Sequence, residues 1–475
     1  MQPRAGVSGV SRKQQLLRQH RRNKRLGLLV GLVALLGLGV FVQWWLPLLL
    51  LPLLWIAHEA WFADHLFYSP GEDYQYQFPE DCRAHAVELR DGVVRLQPPL
   101  QLGGDETLVL ALRLKSRWLG RFLDPAVVVN GDDCQVFERG VAGLRYLNLT
   151  GLAESLSAGQ LRLRGRHCRL AGEGQLWVVP GRDLRQQRVM VIAPHADDAE
   201  LAAYGLYSQA QETWVVTLTA GEIEAEHYQK MGMAKAESAR IKGRLRAWDS
   251  IAVPRWAGVP EAHCVQLGYF CLQLPAMQAA PDQAVSSREA ELADTRVFRQ
   301  FNTLTLPGDQ DGAPTWNNLL ADLRALLLMA RPQVLVMPHP TLDPHPDHIC
   351  AQAAVLEALQ GLEWQPETVL GYANHLHDND RWPMGDSGAG VALPPQLEDG
   401  QVWAPYSLTL DLATQRDKAM ALGMMHDLQP PAPFKRRIRR LLQRWLAGRR
   451  ASPYGENEFF RKAVRRHELF WRRDL

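Results

Sequence analysis

Val189-Met190-Val191-Ile192-Ala193-Pro194-His195-Ala196-Asp197-Asp198-Ala199-Glu200 is the stretch whose reading decides how this chain folds. The short apolar run reads as a buried strand that ends in a turn, and the Ala/Leu-rich residues beyond it read as a helix. One imidazole and two adjacent carboxylates sit at the join. In open α/β sheets, ligands bind outside the carboxyl ends of the strands. A counterpart lies about 150 residues on, Met337-Pro338-His339-Pro340-Thr341-Leu342-Asp343-Pro344-His345-Pro346-Asp347-His348, after the apolar run Val334-Leu335-Val336. It too reads as a strand end.

Around these two stretches, strands and helices alternate. The pattern predicts strands near 188–193, 213–219, 263–268, 333–338 and 368–373. It predicts helices near 199–210, 230–247, 316–330, 347–360 and 414–427. That alternation is the signature of an α/β fold, a Rossmann-like, mostly parallel sheet with helices on both faces. Residues 275–315 show little periodicity and several Pro, Gly and Asp. A long irregular loop inside a compact domain is usually functional, and this one is expected to help frame a substrate.

The two stretches together supply nitrogen and oxygen ligands of the kind zinc takes in catalytic sites. They resemble the LmbE/PIG-L family of zinc-dependent N-deacetylases, whose first motif reads His-Pro-Asp-Asp-Glu and whose second reads His-Pro-Asp-His. The second is intact here. The first has Ala196 in place of Pro, and Glu200 stands one residue later; neither departure removes a ligand type. The resemblance implies His195, Asp198 and His348 as metal ligands and Asp197 as general base. It places His345 toward the substrate carbonyl, as donor to the developing oxyanion. His339 falls outside the ligand pattern and reads as a packed or supporting residue. Asp343 is placed to orient a histidine ring, and Asp347 to cap the helix that begins there. Val216-Thr217-Leu218-Thr219-Ala220-Gly221-Glu222 resembles the family's second strand and its Gly-acid turn. Glu237 and Arg240 fall near a family helix of that type, with Arg240 a candidate substrate contact against the plainer reading of a solvated side chain. Lys418 and His426 also match a family feature and receive no role. The resemblance covers roughly 187–460.

Outside it, residues 1–25 hold eight Lys and Arg and no acid, and Leu26–Ala57 is almost wholly apolar. That run exceeds the ~20 residues needed to cross a bilayer and lacks a cleavage site, so a retained anchor in a bacterial inner (cytoplasmic) membrane is expected. The basic leader puts the N-terminus in the cytoplasm. Pro47 and Pro52 permit a re-entrant hairpin, which leaves the side of the catalytic domain open. Residues 72–180 hold short, partly alternating apolar segments punctuated by Gly and Asp, the pattern of an all-β sandwich, with a spacer role as the default and glycan binding as the minor option. Asn148-Leu149-Thr150 is a glycosylation sequon. Lys435 to Arg450 carries Ile438, Leu441, Leu442, Trp445 and Leu446 on one helical face flanked by Arg, suited to an anionic membrane surface or to packing on the domain.

The 475 residues are too many for one ordinary core. Their 53 Lys and Arg nearly balance 51 Asp and Glu, which removes any global case for nucleic acid. The six cysteines lack CxxC spacing, so a Cys-rich metal site is not expected; Cys134 and Cys168 remain able to pair in an oxidising compartment. The expected activity is zinc-dependent N-deacetylation of an amino sugar in a glycolipid or envelope glycan such as lipopolysaccharide. Two rivals stay open, another metal hydrolase and a non-catalytic, membrane-anchored glycan-binding protein.

Overall fold

The computed structural model describes residues 12–64, 66, 70–377, 379–395 and 402–475. The first eleven residues of the basic leader lie outside the described residues. The apolar run is not one element. Helix Arg12–Phe41 includes the stretch Gln15–Phe41, long and apolar enough to cross a membrane. A shorter apolar helix, Leu46–Ala57, follows after a break, with Pro47 in its first turn and Pro52 inside. Proline has no N–H to donate and its ring clashes with the preceding turn, so it suits a helix start better than a continuation.

Eight strands follow: β1 Arg83–Arg90, β2 Val93–Gln97, β3 Thr107–Ser116, β4 Ala126–Val129, β5 Asp133–Val136, β6 Ala142–Asn148, β7 Leu163–Arg166 and β8 Cys168–Val179. They form two antiparallel sheets, β2-β1-β8-β3-β6 and β5-β4-β7. Leu108, Leu110, Leu112 and Leu114 alternate along β3 and share one core with Val127, Val129 and Leu163 of the smaller sheet. Val109 and Ala111, on the other face of β3, belong to a second core that includes Met190, Trp382 and Trp471. Strand alternation thus feeds two cores at once, and the β lobe is built onto the lobe that follows.

That lobe holds a seven-stranded sheet made of β9 Arg188–Ala193, β10 Glu212–Thr219, β11 Cys264–Tyr269, β12 Val334–Pro338, β13 Thr368–Tyr372, β14 Ala404–Thr409 and β15 His467–Asp474, in the order β11-β10-β9-β12-β13-β15-β14. The first five are parallel, and β15 runs antiparallel to both its neighbours. The chain steps outward from β9 to β10 and β11, then crosses back to β12 on the far side of β9. The order therefore reverses between β9 and β12, which opens a crevice at their carboxyl ends.

The two antiparallel strands escape the sequence reading. Glu468 and Arg472 are buried in β15, which hides its apolar pattern. Pro405 interrupts β14, a strand at the sheet edge, where proline costs no ladder bond. The β lobe covers that edge: Ser407 N donates to Thr107 Oγ1 at 2.9 Å, and Asn148 Nδ2 donates to Ser407 Oγ at 2.7 Å. A covered edge cannot template pairing with another chain. Asn148 is buried, so its sequon is closed to modification in the folded chain. Cys134 and Cys168 do not pair. Cys168 donates its thiol to Ala126 O, while Cys134 Sγ accepts from Arg166.

Burial holds His339 neutral down to about pH 3, with Asp343 opposing, and burial likewise holds His467 neutral to about pH 4. Both values lie below the ~6.5 of an unfolded histidine, so the unfolded chain takes up these protons first. Stability is then full above about pH 6.5 and falls as pH drops toward 4. Chemical denaturation midpoints at a series of pH values check this, and His339→Gln should remove part of the slope.

Candidate active site

Both decisive stretches end at the crevice. The turn after β9 is held tightly: Thr219 N and Oγ1 both donate to Pro194 O, and Asp197 takes φ 123°, a left-handed conformation that a non-glycine residue adopts only under constraint. Helix Asp198–Tyr207 starts there. Helix Pro346–Leu359 starts after β12, with proline in its first turn.

The three proposed ligands converge. Asp198 Oδ2 lies 3.2 Å from His195 Nδ1 and 3.1 Å from His348 Nε2. The His348 contact lacks hydrogen-bond geometry, so its Nε2 is a buried ring nitrogen with no hydrogen-bond partner. His195, His345 and His348 also bring three ring nitrogens within 4.8 Å of one another, and His195, Cys271 and Asp347 form a second such group. Both groups share His195, whose Nε2 lies 3.1 Å from Asp347 Oδ2. Burial alone would make the His348 ring harder to protonate, but the Asp198 and Asp343 carboxylates outweigh it and push the ring up to about 10. The pocket therefore attracts positive charge at the point where Asp198 and His348 meet. An orphaned imidazole nitrogen facing a carboxylate, in a field that favours a cation, fits a divalent metal such as zinc.

Asp343 orients this arrangement. Its Oδ2 lies 2.9 Å from His348 Nδ1 and accepts from the N–H groups of Asn374 and His375, while Oδ1 accepts from His345 N. Those bonds and the His348 charge hold the carboxyl well below the usual carboxylate range despite complete burial. Asp343→Asn should lower the site's affinity for a divalent metal about 10–100-fold by releasing the His348 ring, measured by titration with zinc and a competing chelator.

Asp197 lies beside the ligands without joining them. Arg246 Nη2 donates to Asp197 Oδ1 at 3.2 Å and to Ala196 O at 2.6 Å, and Arg246 Nη1 pairs with Asp427. Gly221 leaves the room for this guanidinium, since a Cβ there would stand 2.4 Å from Arg246 Nε. Burial raises the Asp197 carboxyl to about 7; Arg246 opposes the rise, and Asp198 and Asp427 add to it. A carboxylate of that affinity is matched to proton transfer near neutrality. His345 is the opposite case. Burial, with His195, His348 and His375 adding repulsion, pulls its ring down to about 3. It stays neutral, with Nδ1 buried and unpartnered, and is equipped to give a hydrogen bond rather than a proton.

One expectation is corrected, the Asp347 cap, while Arg240 follows its plainer reading as a surface side chain and Lys418, which had no role, finds a partner. Arg240 is exposed and donates Nε to Ala290 O at 2.8 Å, tying its helix to the 275–315 loop; the guanidinium at the acid pair is that of Arg246. Asp347 does not cap its helix, because His345 holds the cap position and Asp347 Oδ2 accepts from Leu272 N and faces His195. Lys418 has a structural partner, buried Glu468 at 2.7 Å. His339 is packed, between the rings of Trp403 and Trp471.

Sequence reasoning missed Asn374 and His375. Asn374 Nδ2 donates to Asp198 Oδ1 at 2.8 Å, and the His375 ring lies 5.6 Å from that of His345. Both follow β13, so the strand-end rule that found the other two stretches points to them as well. Arg246 and Cys271 carried no local signal.

Residues 190–359 match the family model PIG-L, described as GlcNAc-PI de-N-acetylase. The chain carries a PIG-L domain there. The match runs from within β9 to the end of the Pro346–Leu359 helix and so includes every ligand candidate, but not Asn374, His375 or the β lobe. No curated protein matches the chain. Among solved structures, the chain is similar to GalB, the 4-carboxy-2-hydroxymuconate hydratase from Pseudomonas putida KT2440, at 14% identity over 55% of this chain and 84% of that one, with a TM-score of 0.30. A family two carbohydrate esterase from Cellvibrio japonicus follows, at 11% identity over 62% and 87%, with a TM-score of 0.15. Likenesses this weak carry no argument.

Proposed function

We propose that the chain is a membrane-anchored, zinc-dependent hydrolase that removes the N-acetyl group from an amino sugar of a lipid-linked or envelope glycan, such as lipopolysaccharide or its precursor. The observation that carries this reading is the placing of Asp197 beside a ligand set of His195, Asp198 and His348, in a crevice where strand order reverses. The PIG-L family is one of de-N-acetylases acting on GlcNAc-type substrates, which supports the reaction class.

Zinc bound by these three residues would polarise the amide carbonyl and make water nucleophilic near neutrality. The chain's own groups do the rest. Asp197 accepts the proton of the attacking water and carries it toward the leaving amine. Arg246 and the backbone constraint on Asp197 keep that carboxylate aimed. Neutral His345 donates a hydrogen bond to the oxygen on which charge develops. Asp343 and Asn374 fix His348 and Asp198, so the ligands need no rearrangement.

In this reading residues 1–25 and 26–57 are leader and anchor in a bacterial inner membrane, with the N-terminus in the cytoplasm. Residues 72–180 are a β-sandwich spacer, and 187–475 are an LmbE-like, Rossmann-like catalytic domain. The apolar helix Gln15–Phe41 supports the anchor. The test is acetate release from N-acetylglucosaminyl lipids by the full chain in lipid nanodiscs, with and without zinc. Zinc-dependent acetate release is expected. Release of phosphate instead, or sugar binding with no release, overturns the proposal.

A further inference from the structure

Three elements far apart in sequence meet where the chain leaves its apolar helices. The first is the turn His58–Phe62 that follows helix Leu46–Ala57. The second is the Trp118–Arg121 turn of the β lobe. The third is the basic helix Phe434–Ala447. Arg439 Nε donates to buried Glu59 at 2.6 Å, and Gln443 Nε2 reaches Glu59 O. Trp61 Nε1 donates to Phe122 O at 3.1 Å, with the two rings edge to face. Just beyond, Arg449 joins Asp64 at 2.6 Å and Asp124 at 3.1 Å, and Arg139 and Arg381 also pair with Asp124. The end of the apolar helices is therefore tied to both lobes by ion pairs and a ring contact.

The outward side of this junction is apolar and cationic together. Phe434, Leu441 and Trp445 expose 78%, 54% and 77% of their surface, and Phe62 and Trp118 expose 68% and 72%. Helix Phe434–Ala447 carries Lys435, Arg436, Arg437, Arg439, Arg440 and Arg444 and no acid. Large exposed apolar groups among cations are costly in water and favourable at the boundary between acyl chains and anionic headgroups.

We infer that the three elements form one membrane-docking surface, on which helix Phe434–Ala447 lies in the plane of an anionic bilayer and holds the catalytic crevice at a fixed height above it. The occupant is the bilayer that the anchor enters, because the helix packs on the residues that leave that anchor. The helix is also linked to the site. Arg437 pairs with Glu456 at 3.4 Å, and Phe459, three residues on, stands edge-on to the His375 ring at 6.1 Å. This inference rests on the anchor reading and is independent of the reaction.

The test is photo-crosslinking of the full chain in nanodiscs, with p-benzoylphenylalanine in place of Trp445, Leu441, Leu32 or Met329 in separate preparations. Leu32 reports the anchor, and Met329, exposed on helix Trp316–Ala330, is the control outside the three elements. Lipid adducts are expected at positions 445, 441 and 32, with little at 329. The yield at 445 should rise roughly fivefold when about 30% phosphatidylglycerol replaces neutral lipid. An adduct at 32 without one at 445 overturns the docking surface alone, and no adduct at either overturns the anchor reading with it. Yield at 445 equal to that at 329, equal in both lipids, or going to a second copy of the chain also overturns the inference.

Discussion

Asp197→Asn should lower kcat/KM by about 10²–10⁴-fold, the usual worth of a positioned proton acceptor, while leaving zinc content unchanged. The amide is nearly isosteric and keeps its place against Arg246 and Ala196, but it cannot accept the proton. On the proposed ligand set the metal should stay, because His195, Asp198 and His348 are intact. Steady-state kinetics on the acetate assay, beside metal analysis of the same preparation, separate the two effects; loss of zinc with loss of activity would mean that Asp197 is a ligand. The pH profile supplies a second readout. Burial holds the Asp197 carboxyl at about 7, against the pull of Arg246, and a cation on neighbouring Asp198 draws that value down. The wild-type rate should therefore fall as pH drops through the range of about 5–7 and the acceptor fills with a proton. That limb should be missing from the residual rate of the Asn variant.

Lys418→Met should destabilise the fold by about 3–5 kcal/mol, the cost of leaving a buried charge without its partner. Glu468 is buried on β15, where it accepts from Lys418 Nζ at 2.7 Å and from the N–H groups of Gly205 and Leu206 at 2.8 and 3.0 Å. It thereby pins helix Asp198–Tyr207 to the antiparallel side of the sheet. With Lys418 gone, the two N–H donors remain but the positive charge does not. Denaturant unfolding measures the loss. The double variant Lys418→Met, Glu468→Gln should recover part of it, because the uncompensated charge is then removed as well. A single variant as stable as the wild type would mean that the pair is solvated in solution.

These predictions draw on different parts of the sequence. The Asp197 argument begins in a readable pattern: a short apolar run, a turn rich in acids, a helix, and the same order again before His348. Strand and helix periodicities are local, and so is the rule that chemistry gathers at the carboxyl ends of parallel strands. The two turns were therefore legible before any fold was known, and the family resemblance singled out His195, Asp198 and His348 within them as ligand candidates. Asn374 and His375 obey the same rule at β13 but carry no motif, and were passed over. The Lys418 argument could not be read at all. A lysine on a helix is ordinarily solvated, and only the antiparallel return of β15 brings Glu468 to it from 50 residues away.

From sequence alone came the five strands β9 to β13 and a mostly parallel sheet, the two turns that carry the acids and imidazoles, the apolar N-terminal run and the basic amphipathic helix. Each is written in spacing over a few residues, where side-chain period and backbone geometry are the same fact. The tertiary structure alone decided that Arg246 and not Arg240 reaches the acid pair, that Asp347 turns toward His195, that the β lobe closes the edge at β14, and that helix Phe434–Ala447 lies against the His58–Phe62 turn. Those choices depend on contacts between residues tens to hundreds of positions apart, and no local period encodes which distant charge or ring will occupy the space that folding leaves.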